Sequence, residues 1–174
     1  SQPVPGSRPR WISRRSARIR RPPSTATCAI RMPADLTRGL LDTNIVILRR
    51  TLDADELPDE VAISAVTLAE LSARVHLVVG EEQHAVVERA RRADVLARVE
   101  NEFDPIPFET EAARAFGRIC AAVQARGRTP RRRVADLMIA ATATAAGLPL
   151  YTTNPDDFCG LEDILRVVAV RRPS

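Results

Sequence analysis

The chain has 174 residues, of which 45% are hydrophobic, enough for one domain with an ordinary core and too apolar for a disordered polymer. No apolar run approaches the roughly 20 residues that a membrane-spanning helix needs, and no continuous apolar stretch near the N-terminus suggests a secretory signal. The net charge of +4 divides unevenly: residues 1–31 hold eight arginines and no acid, whereas residues 32–174 set 18 arginines against all 22 acids, a net of −4.

Cys28, Cys120 and Cys159 are few, odd in number and scattered. They suggest neither a disulfide framework nor a zinc site and fit a reducing, cytoplasmic setting. The arm "SQPVPGSRPRWISRRSARIRRPPSTATCAIR" is rich in Pro, Ser and Arg without sustained periodicity, the pattern of a segment disordered on its own. Met32 would be an economical start, so the arm reads as an extension of little functional meaning. A nucleic-acid-binding arm and a transit-like segment are the alternatives.

From Thr37 onward, strands and helices alternate. A short strand at 38–42 leads into an apolar helix at 44–50, and "DEVAIS" supplies a second strand at 61–64. Leu68, Leu71, Val75 and Val78 recur at helical spacing over 65–78. Residues 81–102 are charged and predict one or two helices with an exposed face. "FDPIPF" reads as a strand whose prolines suit a sheet edge. Ala112, Phe116, Ile119, Cys120 and Val123 define one face of a helix over 109–126. Residues 134–146 are apolar nearly all round, which marks a buried helix. Gly147 closes it, and "LPLYT" and "LRVVAV" are the last two strands. This alternation predicts an α/β sandwich with a mostly parallel sheet.

Ligand sites in such sheets lie beyond the carboxyl ends of the strands. Asp42 ends the first strand, Glu70 lies early in the helix after the second, and Asp136 falls in the first turn of the buried helix. Asn154, Asp156 and Asp157 follow the "LPLYT" strand. Each has an ordinary reading alone: Asp42 as a helix N-cap, Thr67 with Glu70 as a capping box, Asp136 as a macrodipole partner, and Asp156 and Asp157 as turn residues. As a set they would repel one another without a cation. Oxygen ligands without His or Cys select Mg²⁺ or Mn²⁺ over Zn²⁺, and the matching chemistry is phosphodiester hydrolysis by activated water.

The stretches "LLDTNIVI", "SAVTLAEL" and "RVADLMIAATATAAGLPLYTTNPDDF" together resemble the PIN-domain ribonucleases, in particular the VapC toxins of toxin–antitoxin pairs. The resemblance spans roughly residues 37–170. It implies a PIN-like three-layer α/β/α sandwich with a mostly parallel central sheet over 37–172, behind a basic tail at 1–36. It also implies a metal-dependent endoribonuclease, usually homodimeric, that a cognate VapB-type antitoxin inhibits. By position, Asp42 and Asp136 match the acids that hold the metal most directly, and Glu70 matches an acid that orients metal or water. Asp157 is the preferred fourth acid, with Asn154 and Asp156 as alternatives. Thr43 and Thr153 are candidates to hydrogen-bond these carboxylates.

"RGRTPRRR" places Arg126, Arg128, Arg131, Arg132 and Arg133 just before Asp136, suited to RNA phosphates. The plain alternative is a solvated basic loop. With few aromatics, recognition would rest on RNA shape and backbone rather than base stacking. Two rival functions remain at this level. A phosphatase of the haloacid dehalogenase type wants an Asp where Asn44 stands and a lysine, and the chain has no lysine. A non-catalytic PIN-like binding module is the other.

Overall fold

The computed structural model describes residues 11–13 and 37–173. Five strands, β1 (Ile12–Ser13), β2 (Arg38–Leu41), β3 (Glu60–Ala62), β4 (Leu150–Thr152) and β5 (Val167–Ala169), form one sheet in the order β1-β3-β2-β4-β5. The pairs β3–β2, β2–β4 and β4–β5 are parallel, while β1 runs antiparallel to β3. Five helices complete the fold: α1 (Thr43–Leu48), α2 (Ala65–His76), α3 (Gln83–Glu102), α4 (Thr110–Ala125) and α5 (Val134–Ala146).

Successive strand residues point to opposite faces, and here both faces are covered. Leu40, Ala62 and Leu150 enter one core with Ile119 of α4 and Leu137 and Ala140 of α5. Their neighbours Leu41, Val61 and Tyr151 enter a second core with Ile45 of α1, Leu71 of α2 and Val99 of α3. Helices on both sides explain why these short strands are apolar throughout. They make the expected three-layer α/β/α sandwich.

The buried α5 accommodates its threonines by turning them onto its own backbone. Thr142 and Thr144 donate to the carbonyls of Met138 and Ala140, 2.9 Å in each case. Gly147 caps the helix at φ 66°, a left-handed conformation that glycine adopts without strain. Gly39 of β2 has a packing role instead. A Cβ there would lie well inside contact distance of the Tyr151 ring, so only hydrogen lets β2 and β4 keep this ring between them.

Two expectations need correction. "FDPIPF" forms no strand: Ile106 alone bridges the sheet, its amide donating to Ile63 and its carbonyl accepting from Ala65, both 2.8 Å. Pro105 and Pro107 lack the donors that would extend the ladder. The basic arm, expected to be disordered on its own, contributes β1. The pairing of Ile12 with Val61 and of Ser13 with Glu60 covers the outer edge of β3. Trp11 packs against the first core, with the Arg38 guanidinium 5.0 Å over its ring. The rest of the arm, with Cys28 and Met32, lies outside the described residues.

Candidate active site

Neighbouring strands β2 and β4 send the chain onward to opposite sides, to β3 and to β5 respectively. A crevice therefore opens beyond their carboxyl ends. Asp42 follows β2 directly and is buried, with 4% of its surface exposed. Its Oδ1 accepts from the Thr43 amide at 2.7 Å and its Oδ2 from the Thr152 hydroxyl at 2.8 Å. Its own amide donates to the Tyr151 carbonyl in β4, 3.0 Å away. The acid is thus fastened to both strands.

Glu70 is carried by α2, and the capping box expected from Thr67 and Glu70 does not form. Ser64 is the N-cap, its Oγ accepting from the Thr67 amide at 2.9 Å. Glu70, released from capping, accepts from the Thr43 hydroxyl at 2.5 Å. Asp136 stands half-buried in the first turn of α5. These three carboxylates line one cleft of about 280 Å³ together with Thr43, Asn44 and Arg74.

Burial pushes the Asp42 carboxyl above its ordinary value. Hydrogen bonds from Thr152 and Thr43 pull it back, and the charges of Glu70 and Asp157 push it up again. Burial likewise raises Asp136, with Asp42 and Asp157 adding to the rise and Arg133 opposing it. Asp157 is therefore electrically part of the group, although its side chain accepts a hydrogen bond from Arg133 and lines a neighbouring cavity.

The other residues after β4 are engaged elsewhere. The Asn154 side chain accepts from Arg172 at 2.6 Å, and Asp156 is exposed. Of the three alternatives for the fourth acid, only Asp157 acts on both Asp42 and Asp136. Thr43 contacts a carboxylate as expected. Thr153 does not: its hydroxyl is buried without a hydrogen-bond partner among the described residues. The contact belongs to Thr152, because alternation along β4 turns adjacent side chains opposite ways.

As the side chains stand, no three of His, Cys, Asp or Glu among the described residues meet closely enough to enclose an ion. The donors that share this cleft are nonetheless all oxygen, and their mutual repulsion is what a hard divalent cation would relieve.

Residues 40–163 match the family model described as PIN domain. The chain belongs to the PIN-domain family. It is 36% identical over 138 residues to Ribonuclease VapC5 of Mycobacterium tuberculosis, an alignment covering 76% of this chain and 94% of the relative. It is also 36% identical over 106 residues to Ribonuclease VapC8 of the same organism, covering 60% and 89%. Among solved structures, it resembles a member of the VapBC family of toxin–antitoxin systems, VapBC-5 of M. tuberculosis. The TM-score is 0.63 at 34% identity, over 78% of this chain and 99% of that one.

Around the acids of this PIN domain, the expected phosphate-binding arginines divide. Arg128 reaches the carbonyls of Asp156 and Cys159, Arg126 lies 3.9 Å from Glu162, and Arg131 is exposed. Arg133 pairs with Asp157, and the Arg132 side chain lies outside what is described. Two residues of the site escape the sequence reading, one in the cleft and one behind it. Arg74 sits one turn beyond Glu70 on α2, and that spacing was its available signal. Thr152 had none, since only the pairing of β4 with β2 brings it to Asp42. No described helix is long and apolar enough to cross a membrane.

Proposed function

We propose that this chain is a divalent-metal-dependent endoribonuclease, the toxin of a toxin–antitoxin pair held in check by a cognate VapB-type antitoxin. The observation that carries the chemistry is the cleft itself. Asp42, Glu70 and Asp136 arrive from three separate segments at the strand switch point, with Asp42 and Asp136 raised by burial and mutual repulsion. The relatives are named as ribonucleases and the similar structure as a member of the VapBC family of toxin–antitoxin systems, which supports RNA as substrate and a VapB-type protein as partner.

Mg²⁺ or Mn²⁺ would be held by Asp42 and Asp136 with Glu70 and Asp157, and when bound it would supply an activated water and charge neutralisation at the scissile phosphate. The chain's own residues fix the geometry. Thr152 and the Thr43 amide hold the Asp42 carboxylate, and the Thr43 hydroxyl aims Glu70. Arg128, Arg131 and Arg74 would meet backbone phosphates. The deciding experiment incubates antitoxin-free protein with a cellular RNA pool. Cleavage with Mg²⁺ or Mn²⁺, stopped by EDTA and absent from the Asp42→Asn variant, is the expected result. Intact RNA with either metal rejects the proposal.

A further inference from the structure

Among the described residues, Asp157 is the one of the four acids that forms an ion pair. Its carboxylate accepts from Arg133, the last residue of the 3₁₀ turn Pro130–Arg133 that runs into α5. Neither side chain is fully solvated, at 40% and 25% exposure. Arg133 also stands three residues before Asp136, and its charge opposes the rise that burial imposes on that carboxyl. The pair borders a second cavity of about 410 Å³, which Arg128 and Thr129 also line. Asp42, Glu70 and Asp136 line the first cleft, of which Asp157 is not part.

Building on the metal-dependent nuclease reading, we propose that Arg133 competes with the divalent ion for the Asp157 carboxylate and, once displaced, serves RNA phosphate. The Arg133 guanidinium neutralises Asp157 while the ion is absent and keeps it turned to the second cavity. When Asp157 turns to the ion, the guanidinium is left without a carboxylate at the mouth of that cavity, with Arg128 beside it. A phosphodiester there would restore its pairing, so RNA and metal would each strengthen the other's binding by the same factor.

The test measures Mn²⁺ affinity by calorimetry or electron paramagnetic resonance, on antitoxin-free protein without RNA. Arg133→Gln should bind Mn²⁺ about two- to fivefold more tightly than the parent, the scale of a partly exposed ion pair. In an Asp157→Asn background the same substitution should change the affinity little. Circular dichroism checks that each variant is folded. Tightening that persists without Asp157 would reveal general charge repulsion and overturn the competition. So would an unchanged or weakened affinity in Arg133→Gln. A parent protein that binds no Mn²⁺ at all would instead overturn the metal-dependent reading, and the competition with it.

Discussion

Thr152, at the end of β4, donates its hydroxyl to the buried Asp42 carboxylate at the end of β2, 2.8 Å away across the crevice between the two strands. The bond joins residues 110 positions apart and ties the principal acid to a strand outside its own motif. Thr152→Val keeps the shape and removes the donor. The loss of a charge-assisted bond at a buried acid should destabilise the fold by about 1–3 kcal/mol. RNA cleavage should fall by at least about tenfold as Asp42 loses its orientation. Urea unfolding and initial cleavage rates would check both.

Glu70 and Ser64 share a helix but divide its duties. Ser64→Ala removes the N-cap of α2 and should cost about 1 kcal/mol of stability while leaving the rate per folded molecule nearly unchanged. Glu70→Gln should do the reverse, with little effect on stability and a loss of about 100-fold or more in cleavage. Comparable activity losses in the two variants would return Glu70 to a structural role.

Folding raises the carboxyl pKa of both Asp42 and Asp136 above the ordinary value of 3.8. Their contribution to the stability of metal-free protein is therefore fully present below that value and is lost as pH rises through the raised folded pKa. A divalent ion favours the ionised form and opposes this loss. The increase in Tm on adding Mn²⁺ should be larger at neutral pH than at about pH 4.5. Asp136→Asn should raise the Tm of the metal-free protein at neutral pH and shrink the Mn²⁺ effect.

Trp11 is the sole tryptophan of the chain, so its fluorescence reports directly on the docking of β1. Folded protein should emit as a partly buried indole. Arg38→Ala, which removes the cation over the ring, or Ile12→Pro, which removes a strand donor, should shift the emission to the red. Deleting residues 1–31 should lower stability by about 1 kcal/mol, from the exposed cation–π contact and the uncovered edge. Cleavage should be nearly unchanged if the arm serves the fold alone. A marked, salt-sensitive loss of RNA affinity would instead identify it as a binding arm.

The parts legible in the sequence were those with local signatures. The helix of 134–146 is apolar all round because it packs on the sheet, and that pattern is visible residue by residue. Asp42 stands out because a carboxylate after two buried leucines needs a reason. What escaped depends on contacts between distant segments. Thr152 and Thr153 are chemically equivalent in the chain, and only the register of β4 against β2 decides which one faces Asp42. Thr67 and Glu70 make a persuasive capping box until Ser64, three residues earlier, takes the cap. Trp11 stands in a polar arm, and its partners, the Arg38 guanidinium and the first core, come from later segments of the chain.

Gly39 belongs to none of the chemistry, yet a methyl group there would strike the Tyr151 ring. Relief would displace β4 and carry Thr152 away from the acid it steadies. A genetic selection for survivors of this protein's expression should therefore yield lesions at Gly39 alongside those at the acids. Such alleles would leave every cleft residue intact and disarm the molecule from the interior of its sheet.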